Sequence, residues 1–202
     1  ILFFVSALLC TYIGWQHLAL NKERRQNEME ELVHLVDNNI QETIRNSYAA
    51  LIALSVTLDE NGVPKNFDSI ASKIIASSRH IDVLELVPKG VIRYIYPLEG
   101  NEAALGYNIL EDPARKDEAI KAIEDKSVYF AGPLELKQGG MAVVGRMPIF
   151  LNGEFWGFSA ALIRMETLME ASGINKIDKS HFYVELSKVN PVTGDEEFFL
   201  EE

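Results

Sequence analysis

The chain has 202 residues, of which 48% are hydrophobic and 24% are charged. These proportions exclude a wholly disordered chain, a collagen-like protein and a disulfide framework. Asp and Glu number 30 against 19 Lys and Arg, and the net charge of −11 argues against nucleic acid as a partner. The single cysteine, Cys10, excludes an internal disulfide and a cysteine-rich metal site.

The first twenty residues, ILFFVSALLCTYIGWQHLAL, contain no charged side chain. Twenty helical residues cover about 30 Å, the hydrocarbon thickness of a bilayer, so residues 1–20 predict a transmembrane helix with Trp15 near one interface. The alternatives are a cleaved signal peptide and a buried core helix. Lys22, Arg24 and Arg25 follow this stretch, and a basic flank taken alone favours the cytoplasmic side for the residues after it.

Residues 21–58 contain neither Gly nor Pro. Their apolar residues recur at steps of three and four, which predicts one long amphipathic helix that continues the membrane helix outward. We expect its first part to pair with a second copy of the chain as a coiled coil. The alternative is that the whole seam packs on its own domain. The seam consists of Leu32, Leu35, Val36, Ile40, Ile44, Tyr48, Leu51 and Leu54.

A second, shorter helix is predicted after the helix breakers Gly62 and Pro64, with Asp68 as its cap. A third helix is predicted from Pro113 to about Lys126, since Asp at the N-cap and Pro at the first helical position favour a helix start.

Five strand patterns accompany these helices. Residues 82–88 and 91–96 are separated by Lys89-Gly90, which predicts a hairpin. Residues 129–137, 141–151 and 154–164 follow, joined by Gly139-Gly140 and by Asn152-Gly153, the latter a typical hairpin turn. The chain is therefore predicted to be α+β, with an antiparallel five-stranded sheet and accompanying helices, an order that resembles PAS-like sensory folds. A last hairpin is predicted from residues 181–189 and 197–200.

No arrangement typical of catalysis is visible in the sequence. The four histidines lack a metal-ligand spacing, and neither a Gly-rich phosphate loop nor a nucleophile elbow is present. We expect this segment to have no catalytic residues, no metal and no cofactor.

Polar and aromatic side chains accumulate in the middle of the chain. Flat aromatic walls with a few fixed hydrogen-bonding groups are typical of small-ligand sites, although aromatic residues on strands also serve as core. The predicted ligand-binding residues are Asn108, Tyr107, Phe130, Tyr129, Tyr96, Arg93 and Arg146.

Residues 95–150 resemble the CHASE domain, an extracytoplasmic sensor of histidine kinases and nucleotide cyclases. The matching motifs are Pro97-Leu98-Glu99-Gly100-Asn101, Leu105-Gly106-Tyr107-Asn108, Pro113-Ala114-Arg115, Pro133-Leu134-Glu135-Leu136 and Pro148-Ile149-Phe150. The resemblance implies a long signalling helix and a PAS-like lobe that binds a ligand. The family's acidic ligand-contacting position falls on Asn108, so an adenine-type cytokinin is not implied. The family's apolar position on the strand after the helix falls on Tyr129 or Phe130, whose large side chains imply a small cavity and a very small ligand, or none.

The sequence therefore predicts the ligand-sensing domain of a membrane-bound receptor, a histidine kinase or a nucleotide or diguanylate cyclase, without catalysis in this segment. We expect it in the inner membrane, with the sensor in the periplasm or outside the cell, as a homodimer through the long helix. The alternative is a membrane-anchored interaction or assembly domain without a small-molecule ligand. The expected parts are a transmembrane helix at 1–20, a dimerisation helix at 21–58, the PAS-like sensor at 59–170 and a C-terminal hairpin at 171–202, the start of a membrane-proximal lobe.

Overall fold

The computed structural model describes residues 2–178, 180–190 and 193–201, with the backbone alone at 2–10, 200 and 201. Within these ranges the helices are α1 (Leu2–Ser55), α2 (Phe67–Ser77), α3 (Pro113–Asp125) and α4 (Met165–Ser172). The strands are β1 (Val83–Pro88), β2 (Tyr94–Tyr96), β3 (Tyr129–Glu135), β4 (Met141–Leu151), β5 (Glu154–Arg164), β6 (Glu185–Val189) and β7 (Glu196–Glu201).

Five strands form one antiparallel sheet in the order β2-β1-β5-β4-β3. The predicted α+β class with a five-stranded antiparallel sheet is therefore confirmed. Two turns hold the pairing in register, because Lys89-Gly90 and Asn152-Gly153 each have two successive positive φ angles, the geometry of a two-residue hairpin turn. The predicted bounds of β4 and β5 are those observed.

The first helix runs without a break for 54 residues, from Leu2 to Ser55, or about 80 Å at 1.5 Å per residue. Among the side chains described from Thr11 onward, the buried ones lie in its last turns, at Thr43, Ser47, Ala50, Leu51 and Leu54. There it lies on β4 and β5, and Ser159 Oγ on β5 donates a hydrogen bond of 3.0 Å to the Leu51 carbonyl. The helix ends three residues before the predicted Leu58.

Among the described residues, no helix combines the length and the apolar character needed to cross a membrane. The transmembrane helix at residues 1–20 stays a prediction, and Ile1 and the side chains of residues 2–10 lie outside the described part of the chain.

The sheet separates two cores. The helix-side core contains the buried residues of α1, α2 and the strand faces beneath them, namely Ala50, Leu51, Leu54, Phe67, Ala71, Ile81, Leu84, Leu86, Ile149 and Ala161. The loop-side core lies on the opposite face, under α3 and the loop between β2 and α3; it includes Val83, Val87, Ile92, Ile109, Ala119, Ala122, Val144, Phe158, Ala160 and Leu162. Alternation along each strand sends successive side chains to opposite cores.

Three details differ from the sequence-based expectation. The N-cap of α2 is Asn66, in a left-handed conformation, and Asp68 lies in the first turn instead. The second strand is shorter than predicted because the backbone of residues 90–92 bonds to the loop at residues 106–109. The C-terminal hairpin forms a separate two-stranded sheet, β6 with β7, and Lys179, Pro191, Val192 and Glu202 lie outside the described residues.

The contact of α1 with the sheet can be tested by Leu51→Ala. Leu51 is fully buried, so we expect a loss of about 2–5 kcal/mol in the free energy of unfolding, measured by urea denaturation. Ile52→Ala is the matched control, because the neighbouring side chain is 41% exposed and its loss is expected to cost less than about 0.5 kcal/mol. Equal losses in the two variants would contradict this packing.

Candidate functional site

A small cavity of about 30 Å³ lies on the loop side of the sheet, between the central strands, α3 and the loop that precedes α3. The loop reaches this position because Ile92 N donates to the Tyr107 carbonyl at 3.0 Å and Gly106 N donates to the Ile92 carbonyl at 2.8 Å. The polar lining residues are Glu85, Tyr107, Arg115, Lys137, Gln138 and Arg146, and the remaining lining residues are apolar.

Glu85 and Arg146 form the floor of this cavity. Glu85 on β1 and Arg146 on β4 are both paired with Ala160 on the intervening strand β5. They therefore point to the same face, and two strand spacings of about 4.8 Å separate their backbones by about 10 Å. Each is only 4% exposed, so a buried carboxyl group and a buried guanidinium group face the same cavity.

Arg146 lacks a full set of partners. Its Nη1 is buried without a hydrogen-bond acceptor among the described residues. Burial lowers the pKa of Arg146 from its ordinary value, and the carboxylates of Glu118 and Glu85 partly oppose this. A buried donor without an acceptor is costly, and a cavity beside it offers room for a ligand that supplies the acceptor.

Glu85 is held in an environment that favours its neutral form. Burial raises the pKa of its carboxyl group to about 7, against the opposing fields of Arg146 and Arg115. A carboxyl group with a pKa near 7 exchanges its proton in the physiological pH range. In its neutral form it is a hydrogen-bond donor as well as an acceptor.

Tyr107, Asp112 and Arg115 form the roof. The Tyr107 hydroxyl donates to the Asp112 carboxylate, and Arg115 donates to Asp112, to the Tyr107 oxygen at 2.8 Å and to the Glu135 carbonyl. Because Asp112 also caps α3 by accepting from Ala114 N at 2.9 Å, the loop, α3 and β3 are fastened together.

The contacts of the roof favour the charged form of the Asp112 carboxyl group. The hydrogen bond from Tyr107, followed by that from Ala114 N, lowers the pKa of Asp112 to about 2. Burial, followed by the hydrogen bond to Asp112, raises the pKa of Tyr107. The Arg115 guanidinium and the Lys137 ammonium lie 5.2 Å and 4.6 Å from the centre of the Tyr107 ring, so positive charge surrounds this ring.

Of the seven predicted ligand-binding residues, Tyr107 and Arg146 line the cavity. Tyr129 lies beside it, since it faces Arg146 in the β3–β4 register and packs against the loop-side core. Burial raises the pKa of Tyr129, with a contribution from Glu118.

The other four predicted residues lie elsewhere. Phe130 points to the opposite face, where its ring covers Gly145 so closely that an added Cβ would lie 2.7 Å from it. Arg93 and Tyr96 line a separate groove near α2. The Asn108 amide is engaged within its own loop, donating to Glu111 at 2.8 Å and accepting from Leu110 N at 3.1 Å.

Sequence reasoning missed Glu85, Arg115 and Lys137. Glu85 had a signal, because it is the single charged residue in the otherwise apolar run Val83–Pro88, and both faces of a central strand are buried. Arg115 lies in the Pro113-Ala114-Arg115 motif but was not predicted as a lining residue, and Lys137 had no signal. Their approach to Tyr107 depends on how the loop folds over the sheet, which no local pattern encodes.

The sequence profile of the CHASE domain matches residues 79–199, more than half of the chain. None of the curated proteins matches the sequence. Among solved structures, an extracellular ligand binding receptor from Desulfohalobium retbaense is similar, with a TM-score of 0.57 and 15% identity over 70% of this chain and 26% of that chain.

Two chemoreceptor domains of Pseudomonas aeruginosa are also similar. The ligand-binding domain of the amino acid chemoreceptor PctC, in complex with GABA, has a TM-score of 0.58 and 17% identity over 72% of this chain and 66% of that chain. The ligand-binding domain of the amino acid chemoreceptor PctB, in complex with L-Arg, has a TM-score of 0.61 and 13% identity over 80% of this chain and 65% of that chain. At these identities the likeness is one of fold, and the chain spans less than two thirds of the length of each of these relatives.

Replacing Glu85 by Gln tests the burial of its carboxyl group. The unfolded chain releases this proton near the ordinary pKa of 4.5 and the folded chain near 7, so the folded state binds more protons between these values. The stability of the parent should therefore fall as the pH rises from 4.5 to about 7 and then level off with respect to this group. Glu85→Gln should lack this part of the fall.

Urea denaturation of both proteins between about pH 5 and pH 8 measures the difference. Glu124→Gln, which changes an exposed carboxylate on α3, is the control and should follow the parent. A Glu85→Gln profile that is parallel to the parent's would contradict the assignment.

Proposed function

The chain belongs to the CHASE domain family, and from that premise we propose that it is the extracytoplasmic ligand-sensing domain of a membrane-bound receptor. The sensor binds a small molecule in the loop-side cavity, carries out no catalysis, and passes the signal through α1 to a histidine kinase or cyclase in the same protein. The observation that carries the proposal is the buried Arg146 Nη1, which has no acceptor in the described part of the chain and lines the cavity.

The sheet offers a direct route from the cavity to α1. On β5, Ala160 lies between Glu85 and Arg146 on the loop side. The preceding residue, Ser159, points to the other face and bonds to the Leu51 carbonyl of α1. A ligand shifts an equilibrium only by its different affinity for the two states. A ligand that moves β4 against β5 therefore acts on the end of α1.

The membrane context rests on the sequence. Residues 1–20 carry no charge, and we assign them as the transmembrane anchor of α1. The helix leaves the membrane as one continuous element, and the sensor lies in the periplasm or outside the cell. The similarity of the fold to chemoreceptor ligand-binding domains supports this side of the membrane.

We assign the lower part of α1 to a homodimer. Of the seam predicted from the sequence, Leu35 remains 54% exposed in the single chain, and Leu32, Val36 and Ile40 are only partly buried. Pairing with a second α1 buries such a seam. The end of the helix from Thr43 onward packs on its own sheet, so the two parts of α1 have different partners.

Arg146→Met tests the sensing role. The ligand is expected among small molecules that raise the melting temperature of the parent, measured in a thermal-shift screen. Arg146→Met should fold, because Met fills a similar volume without a buried charge, and should lose every such shift. Lys116→Met, an exposed cation on α3, is the control. If no molecule raises the melting temperature of the parent, the alternative of a membrane-anchored interaction domain gains support.

The dimer can be tested by disulfide cross-linking. In a Cys10→Ser background, Leu35→Cys in the predicted seam should form a covalent dimer on mild oxidation of membranes, seen on a non-reducing gel. Asp37→Cys is the matched control, because this exposed polar residue lies on the same helix, about 160° around the helix from position 35. Equal cross-linking at the two positions would refute the predicted seam.

A further inference from the structure

The volume of the loop-side cavity limits the size of the ligand that it can hold. Its volume of about 30 Å³ holds two or three water-sized groups, at about 10–15 Å³ for each. Bonded atoms overlap, so a molecule of about three or four non-hydrogen atoms takes up this space and is the largest that fits without movement of the roof. The apolar part of the lining, which includes Val87, Ile92 and Val144, leaves room for a methyl group but not for a longer chain.

The charges of the lining residues determine which charge the ligand should carry. Three cationic side chains surround the cavity, Arg115, Lys137 and Arg146, against the single carboxyl group of Glu85. Arg115 is engaged with Asp112, Tyr107 and the Glu135 carbonyl. Arg146 is the cation whose buried nitrogen has no acceptor among the described residues, and an anion beside it satisfies both its charge and its donor.

We propose that the cavity binds a small monovalent oxyanion, with a monocarboxylate of one or two carbons as the class that fits and the Arg146 guanidinium as its anchor. The inference rests on the proposed function, because it takes this cavity to be the ligand site. Hydrogen bonds between a guanidinium and a carboxylate are charge-assisted and strong, and the burial of Arg146 strengthens them further.

Glu85 makes this binding dependent on pH. It faces the cavity together with Arg146 on β4, Arg115 on α3, Tyr107 in the loop and Lys137 after β3. In its neutral form the Glu85 hydroxyl donates a hydrogen bond to a second oxygen of the anion. In its charged form it repels the anion. Binding therefore takes up a proton, and a bound anion beside a neutral Glu85 and a charged Arg146 leaves the floor of the cavity with no net charge.

A zwitterionic amino acid is the competing ligand. Its ammonium group requires Glu85 to be charged, whereas burial favours the neutral form of this side chain. Even glycine has five non-hydrogen atoms, more than the cavity holds. Affinity for glycine would also rise with pH, the opposite of the expected dependence for a carboxylate.

The test is titration of the full 202-residue chain, in detergent, with sodium acetate, sodium formate, sodium nitrate and glycine, against sodium chloride at equal ionic strength. Acetate and formate are expected to raise the melting temperature above the chloride control. Because Glu85 changes its charge near pH 7, their dissociation constants are expected to rise about tenfold from pH 6 to pH 8. Nitrate distinguishes a carboxylate ligand from an inorganic oxyanion. Nitrate binding weaker than that of acetate supports a carboxylate, and tighter nitrate binding overturns the carboxylate class.

Two variants keep the test independent of folding defects. Arg146→Met should lose acetate binding at every pH. Glu85→Gln, which preserves the shape of the side chain and a donor, should bind acetate equally at pH 6 and pH 8. Lys116→Met should bind as the parent does at both pH values.

Three outcomes overturn the inference: no acetate effect beyond that of chloride, unchanged acetate binding by Arg146→Met, or tighter binding of glycine than of acetate. These are distinct from failure of the proposed function. If another small molecule binds in an Arg146-dependent manner, only the anion class fails. If no molecule stabilises the chain at any pH, the sensing role fails as well.

Discussion

A guanidinium buried without a complete set of acceptors is the constraint on which the loop side of this molecule depends. Arg146 lies midway along β4, between the central strand β5 and the edge strand β3, and is 4% exposed, so its charge is compensated from a distance, by Glu85 and Glu118. Buried charges are ordinarily paired at contact distance. The incomplete pairing explains why a cavity persists beside Arg146 in an otherwise close-packed core.

The roof of the cavity covers the same buried guanidinium. Tyr107, Asp112 and Arg115 form a closed set of hydrogen bonds, which fixes the loop over the sheet and joins it to α3 and β3. Asp112 has two tasks, as the N-cap of α3 and as the carboxylate that neutralises Arg115. A loop held in this way keeps water away from Arg146 and Glu85 and so maintains the low dielectric that shifts the pKa of each.

Much of the architecture was predictable because its signals are local. Asn152-Gly153 determines the β4–β5 hairpin, Asp112-Pro113 determines the start of α3, and the spacing of apolar residues determines α1. The site was less predictable, because its residues meet only through the sheet. Glu85 and Arg146 are neighbours across Ala160 owing to the strand order, which places β5 between β1 and β4 although it follows both in sequence. The Asn108 amide has the donor and acceptor groups of a ligand contact, but both form hydrogen bonds within the turn that it stabilises.

The position of Glu118 ties the C-terminal hairpin to the cavity. Its carboxylate contributes to the field at Arg146, and its Oε1 lies 3.5 Å from Lys188 Nζ on β6, which also lies 3.5 Å from Glu197 on β7. One carboxylate thus lies in the field of a buried guanidinium and in contact with a surface ammonium. Loss of Glu118 would therefore weaken the compensation of the buried Arg146 charge and the ion pair between α3 and the hairpin at the same time. The charge balance of the core and the attachment of the hairpin depend on the same side chain.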